Sequence, residues 1–429
     1  MSGFKENLKL AFRGELSVEA AEVQAIADPS ALTLQDVTEA REERIELSEA
    51  LHEVQTNDSA QAMDVSEKVV TAVGNAAKAA ETMPPQAAEA YVAAANMNIQ
   101  TAESVLETSI PKLATTDDGS VDTVSLESLT EWFGTAIKAF SAAASKTGGR
   151  IALGFVRLNS SADGLHKRTN RIREKVRSRK GEGGKDIKLG NAARLLVVGG
   201  GYSQAPVHDL DNFAKVSREL TDVVMEYHKR CDRVVKESLV NSISQKSLPH
   251  DLFAGIQTDD LFKRLEHAIS NQNGPLLGNV KYVRDEDRLG RLLAFHLAED
   301  DNVRGNDIQR YGNPIQSLDT ETILRYCGEL DALIDGQIKL LQRVTDATKT
   351  SYASVGIAIR KLTDLDAGNE EDADFELDSE INTADLLRLE SQLVSEIGRI
   401  CDRLGRLQAD MLARINAVLT LVEESVFQD

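Results

Sequence analysis

Few residues in this chain have the types and spacings that cofactor binding requires. The segment LLVVGGGYSQ places three glycines after an apolar run, but Gln204 stands where the third glycine of a dinucleotide-binding loop belongs. Pro206 then occupies a position where the phosphate-binding helix should already run. DDGSVD begins like a calcium loop, yet Val121 replaces an oxygen ligand and the terminal glutamate is absent. Neither segment predicts a cofactor site.

Nucleophiles, bases and metal ligands are scattered along the sequence. The seven histidines form no HExxH motif, and we interpret His166 and His228 as surface residues of helices. Cys231, Cys327 and Cys401 are too far apart for a zinc site or a disulfide framework, and this usage is typical of a reducing compartment. No GxSxG or GxxxxGK motif occurs. The sequence therefore predicts no metal, no cofactor and no enzymatic activity.

One basic stretch, residues 167–188, could contact a polyanion. It contains ten Lys/Arg against three Asp/Glu. Phosphate contacts need only positive charge, so binding to a DNA backbone is one interpretation, although no aromatic residues interleave for base stacking. A solvated helix end running into a glycine-rich loop is the other. The candidate phosphate contacts are Lys167, Arg168, Arg171, Arg173, Lys175, Arg177, Arg179 and Lys180.

Long helices must position these residues, because aromatics are only 4% of the chain and prolines number only 8. Apolar residues recur at alternating steps of three and four over 320–363 and again over 383–425, the spacing of a coiled-coil seam. Between them, the acidic loop 364–380 carries nine acidic residues and no basic one. We expect the two helices to fold back antiparallel. A parallel homo-oligomeric coiled coil is the alternative.

Weak β signals mark the middle of the chain. The apolar run from Leu195 to Val198 ends in three glycines, and Leu293, Phe295 and Leu297 alternate with polar residues. A helix predicted at 208–245 lies between these two segments. The predicted fold class is mainly α: a long antiparallel helical bundle or coiled coil with a small α+β module in the middle.

Charge is distributed unevenly and suggests a division of the chain. Residues 1–127 hold 8 Lys/Arg and 23 Asp/Glu, a net of -15 out of the total of -20. We predict an acidic helical leader at 1–127, an amphipathic helix and basic segment at 128–184, the α+β module at 185–310 and the helical hairpin at 311–429. No stretch reaches the ~18 apolar residues of a membrane span, and the start lacks a signal peptide.

The order of these parts resembles a known family. An acidic, Ala/Glu-rich leader precedes SLESLTEWFGTAIKAFSAAASK, which is followed by LHKRTNRIREKVRSR, KLGNAARLLVVGGGYSQAPVHDLDNFAKVSRELTDVV and GPLLGNVKYV. In this arrangement the chain resembles the internal head (inner body) proteins of large tailed phages, including the phiKZ-like group. The Trp-bearing amphipathic helix and the Arg-rich segment after it carry the likeness.

This resemblance implies how the protein is assembled and processed. Such proteins are made with a propeptide, packed into the prohead and trimmed by the head maturation protease, which cuts after the Glu of a small-x-Glu motif. Ser125, Leu126 and Glu127 form such a motif beside the polar linker TTDDGSVDT, and Ser17–Glu19 and Ala20–Glu22 also match. The implied location is the head interior, after synthesis in the host cytoplasm. The implied partners are other head proteins, packaged DNA and the protease, with no membrane.

Two other functional classes are consistent with the patterns. A cellular coiled-coil scaffold or adaptor without a phage link would show the same heptads. A helical pore-forming protein would use residues 129–158 as its inserting part, but the sequence offers no longer apolar hairpin for insertion.

Overall fold

The protein is mainly helical and contains small two-stranded sheets. The computed structural model describes residues 34–55, 85–106, 154–160, 162–177, 183–199, 201–239, 251–272, 274–285, 291–299, 315–371 and 383–427, with single helical residues between 65 and 79. Within these residues helices dominate and three antiparallel strand pairs occur, so the prediction of a mainly α fold with minor β structure is confirmed.

The elements follow one another in this order. The helices are α1 (Leu34–Gln55), α2 (Pro85–Leu106), α3 (residues 154–160 and 162–176), α4 (Pro206–Arg233), α5 (Asp259–Ser270), α6 (Thr320–Glu371) and α7 (Thr383–Phe427). A 3-10 helix spans Gly190–Leu196, and a π-helical turn, Val234–Leu239, continues α4. The strands are β1 (Asp186–Ile187), β2 (Val197–Val198), β3 (Gly201–Tyr202), β4 (Val280–Arg284), β5 (Phe295–Glu299) and β6 (Ile315–Gln316).

Helix α7 runs through the interior. The nine residues of its predicted seam are all buried: Leu393, Ile397, Ile400, Leu404, Leu407, Met411, Ile415, Val418 and Val422. Leu412 and Leu419, outside that seam, are buried as well, because α1, α4, α6 and the 3-10 helix all pack against α7. A helix that is apolar on every side is enclosed by its neighbours. The seam predicted for α7 is therefore correct but covers only part of its buried surface.

Helix α6 lies alongside α7. Gln337 Nε2 donates to Gln408 Oε1 at 2.7 Å, and the backbone N–H of Leu318 donates to Ser425 Oγ at 3.0 Å. From the first contact to the second, the residue number falls from 337 to 318 on the α6 side and rises from 408 to 425 on α7. The two helices therefore run antiparallel here. The predicted acidic loop is partly wrong, since α6 continues to Glu371. Extending an existing helix is easier than starting one, which favours helix over residues 364–371.

Helix α4 packs on α7, α6 and α5. It begins at Pro206, whose fixed φ suits the first turn of a helix, two residues before the predicted start. Its regular α geometry ends at Arg233, where the π-helical turn begins, and residues 240–245 of the prediction lie outside the described part. Phe213, Leu220 and Cys231 are buried on the predicted face.

The middle module consists of short strands held against α4 by aromatic packing. Strand β1 pairs with β6, β2 with β3, and β4 with β5, all antiparallel. The Tyr282 ring lies 5.9 Å from Phe213 and 6.4 Å from Phe295, centroid to centroid, and these contacts link β4, β5 and α4. Leu195, which we had placed in a strand, belongs to the 3-10 helix instead.

Helix α1 of the predicted leader packs on the body. Leu47, Ala50 and Leu51 are buried, and α1 contacts α7. A side chain at Gly154 or Gly405 would press on the Val54 methyl groups, with Cβ distances of 3.1 and 3.3 Å. These two glycines therefore permit the close approach of α1 to α3 and α7.

Candidate functional site

Arg168, in the middle of the basic stretch, lies in the protein interior. Its Nε donates to Glu423 Oε1 at 2.8 Å and its Nη2 donates to Oε2 at 2.7 Å, while Nη1 donates to Asn416 Oδ1 at 2.6 Å. Both side chains of the ion pair are only 1% exposed. This two-point geometry is the strongest form of Arg–carboxylate pairing. Arg168 cannot reach a DNA phosphate from this position, and its prediction as a phosphate contact is wrong.

Two further arginines of the stretch join α3 to its neighbours. Arg173 donates to Asp331 and to the Cys327 carbonyl on α6, and the hydrogen bond with Asp331 raises the pKa of Arg173 above its ordinary value. Arg171 Nη1 lies 3.4 Å from Glu43 Oε2 on α1. Their charges are directed at carboxylates of the protein, which leaves them poorly placed for a phosphate.

The remaining candidates divide into three groups. Lys167 on α3 and Arg177 in the turn that follows α3 are exposed, and Lys175 is half-buried. Arg179 and Lys180 lie outside the described residues. So do Ser125, Leu126 and Glu127, the candidate cleavage motif, and Trp132 of the amphipathic helix.

Arg414, on α7, is a buried cation like Arg168 of α3, and the heptad pattern did not reveal it. Its Nε donates to the Leu277 carbonyl at 2.7 Å, and its guanidinium carbon lies 4.1 Å from the Phe213 ring centroid. Burial lowers the pKa of Arg414 below its ordinary value. A Cβ at Gly278 would lie 3.2 Å from Arg414 Nη2, so this glycine, with φ +92°, allows the guanidinium to approach the backbone. Arg414 thereby ties the middle module to α7.

A signal for these interior polar groups was present in the sequence. Residues 411–422, MLARINAVLTLV, contain one charged residue, Arg414, over more than three helical turns. So low a charge density indicates burial on all sides rather than along one stripe. The pairing partners, Arg168 for Glu423 and Leu277 for Arg414, lie more than 100 residues away and have no such signal.

A cleft of about 460 Å³ opens between α7, α5 and residues 291–294. In its wall, Tyr227 Oη donates to Glu396 Oε1 at 2.7 Å, and Arg399 Nη1 lies 3.3 Å from Glu396 Oε2. Burial raises the pKa of Tyr227 above its ordinary value. Arg403 lies over the Phe295 ring at 4.9 Å. Both oxygens of Glu396 thus accept from neighbouring donors, an arrangement that holds α4 against α7.

The three cysteines and His228 are buried. Cys231, Cys327 and Cys401 are buried free thiols, and burial raises the pKa of Cys327 to about 11. His228 is buried against Ser351, contrary to the surface position we expected, because α6 covers this part of α4. His166 is half-exposed, with Nε2 lying 2.9 Å from Asp335.

The described residues show neither a metal-ligand cluster nor a membrane-spanning helix. In the described ranges, no three His, Cys, Asp or Glu residues cluster as metal ligands would. None of the helices within those ranges combines the length and apolar character needed to cross a membrane.

The protein is thus a mainly helical body with small sheets, in which buried charged side chains pair with one another. A family model for phiKZ-like phage internal head proteins matches residues 15–374, most of the chain. The chain therefore belongs to that family, and it is located inside the virion head after synthesis in the infected host. No curated protein and no solved structure matches it. This family membership excludes the alternative of a cellular scaffold without a phage link.

Proposed function

We propose that this internal head protein acts as a rigid packing element, which binds other head components through the surfaces of a helical body. The observation that carries this proposal is the burial of α7, whose buried Glu423 and Gln408 accept hydrogen bonds from Arg168 and Gln337. In this proposal α6 and α7 form the antiparallel bundle, with coiled-coil packing along their seam. The middle module, held by Arg414, braces one side of it.

Proteolytic trimming after Glu127 forms the second part of the proposal. The sequence around 115–127 offers a polar, Gly-containing linker followed by Ser125, Leu126 and Glu127. Cleavage there divides a segment of net charge -15 from a remainder of net -5, counted over 1–127 and 128–429. Cleavage makes the acidic segment a separate chain, and its later release would reduce electrostatic repulsion between the body and packaged DNA.

Mass spectrometry of purified phage particles tests the trimming. We expect peptides that begin at Ser128, an N-terminus that digestion of the sample with trypsin does not produce. A phage carrying Glu127→Gln should lose these peptides, whereas the matched control Glu22→Gln, at another small-x-Glu motif, should keep them. Peptides that span Glu127 and Ser128 as abundantly as their neighbours would refute cleavage at this position.

Contact with DNA phosphates remains a proposal for part of the basic stretch. Lys167 and Arg177 are exposed, and Lys175, Arg179 and Lys180 extend the same positive run in the sequence. When Lys and Arg side chains bind phosphates, they release the counterions condensed on the DNA, so added salt opposes binding. Duplex binding should therefore fall when Lys167→Glu and Arg177→Glu are combined. The control pair Lys263→Glu and Arg264→Glu makes the same charge change on exposed positions of α5 and should bind better than the first pair.

A further inference from the structure

Helix α1 packs against helices that lie on the other side of the proposed cleavage position in the sequence. Helix α1 lies in the leader, N-terminal to Glu127, while the two helices it contacts, α3 and α7, lie C-terminal to it. We infer that α1 is a separable helix seated in a groove on α3 and α7, and that it stays bound to the body after the chain is cut beside Glu127. This inference concerns what becomes of the leader and rests on the proposed trimming only for its biological setting.

The groove holds α1 by an apolar contact. Leu47 is 1% exposed, and Ala50 and Leu51 are buried beside it on the same face, at helical spacing. One turn further on, Val54 fits against Gly154 and Gly405, where any side chain would crowd it. The face of α1 that carries Leu47 and Val54 is therefore apolar and closely packed against the body.

Charge fixes the register of α1 in this groove. Arg44 Nε lies 2.9 Å from Glu423 Oε2, and Arg44 Nη2 donates to Glu424 Oε1 at 2.9 Å. Glu423 also receives Arg168, so this one buried carboxylate lies between two arginines, one from the leader and one from the body. Removing α1 would leave Glu424 without Arg44 and would open the Arg168–Glu423 pair to water on that side.

None of these contacts depends on the covalent connection between α1 and α3. Helix α1 ends at Gln55 and α3 begins at residue 154, and the proposed cut at Glu127 falls between these two helices in the sequence. A cut there leaves every contact named above in place. The product we expect is a two-chain complex that keeps the acidic α1 segment, and release of that segment would require its further digestion or an added partner that displaces it.

The test uses the full-length protein with the site of a sequence-specific protease inserted between residues 115 and 123. After complete digestion, native size-exclusion chromatography should show both fragments in one peak, and denaturing electrophoresis of that peak should show two bands. Separation of the wild-type fragments on the native column would overturn the inference. Because the cut is made in vitro, the result is independent of whether Glu127 is cleaved in the phage.

Two variants on α1 make the test specific without changing the body. Leu47→Asp buries an unpaired charge in the groove and should weaken retention of the leader fragment by at least about tenfold. Ser48→Asp introduces the same charge on the exposed side of the same helix and should leave retention unchanged. Equal retention of the two variants would show that the leader is held elsewhere and would contradict the role of α1.

Discussion

Arg168 of α3 and Glu423 of α7 form a two-point ion pair in the protein interior, with both side chains 1% exposed. Such a pair is costly to desolvate, and its stabilising effect depends on complete hydrogen bonding. Asn416 and Arg44 complete the arrangement, so that groups from α1, α3 and α7 meet at one carboxylate. The pair therefore sets the relative position of three helices.

Loss of Arg168 should destabilise the protein. Arg168→Met leaves Glu423 buried with Arg44 as its remaining cation, and we expect the free energy of unfolding in urea to fall by about 3 kcal/mol. The double variant Arg168→Met, Glu423→Leu should recover part of this loss, because no unpaired charge stays buried. Arg177→Met, at an exposed position in the turn after α3, should change stability by less than about 0.5 kcal/mol. A small effect of Arg168→Met would argue against burial of this pair.

The pairing of α6 with α7 is tested at Gln337 and Gln408. Gln408 accepts from Gln337 at 2.7 Å and donates to Thr221 Oγ1 at 3.2 Å. Gln408→Leu removes the acceptor of the Gln337 amide and one donor to the Thr221 hydroxyl, which still donates to the Ser217 carbonyl, and it should lower the free energy of unfolding by about 1–3 kcal/mol. In a double-mutant cycle with Gln337→Leu, the coupling energy should exceed about 0.5 kcal/mol. Additive effects of the two substitutions would mean that these side chains do not meet.

Acid sensitivity should arise at His228. Burial lowers the pKa of His228 below its ordinary value, so protonation favours the unfolded chain. The contribution of the neutral, buried form is complete above the unfolded pKa of about 6.5, and it is lost as pH falls through that value toward the lower folded pKa. Urea midpoints measured across this range should therefore drop with acidification.

A matched pair of variants isolates this effect. His228→Gln should flatten the decline in urea midpoint below about pH 6.5, whereas His267→Gln, on the exposed face of α5, should keep the wild-type slope. Identical slopes for His228→Gln and the wild-type protein would assign the acid sensitivity to other groups.

The sequence predicted the helices of the C-terminal part well, because heptad spacing reports burial directly. Leu404 and Val418 were placed correctly for this reason, as were Leu330 and Leu341 on α6. Heptad spacing alone did not show that α7 is enclosed on several sides. The low charge density of residues 411–422 indicates this enclosure, but the partners of Arg414 and Glu423 have no signal in the local sequence. The basic stretch misled for the same reason, because a run of arginines does not reveal which of them faces a buried carboxylate.

The middle module was predicted less accurately. Two-residue strands such as β2 are too short for alternation to be seen, and local sequence did not distinguish a 3-10 helix at Leu195 from a strand. His228 was placed on the surface because nothing in its own helix shows that α6 lies over it.

Amide hydrogen exchange measured by mass spectrometry tests most directly whether α7 is enclosed by the helices that pack against it. Peptides from residues 400–422 should exchange more slowly than those of any other segment, since their amides open only when the whole body unfolds. Exchange of these peptides as fast as that of α2 would contradict the account.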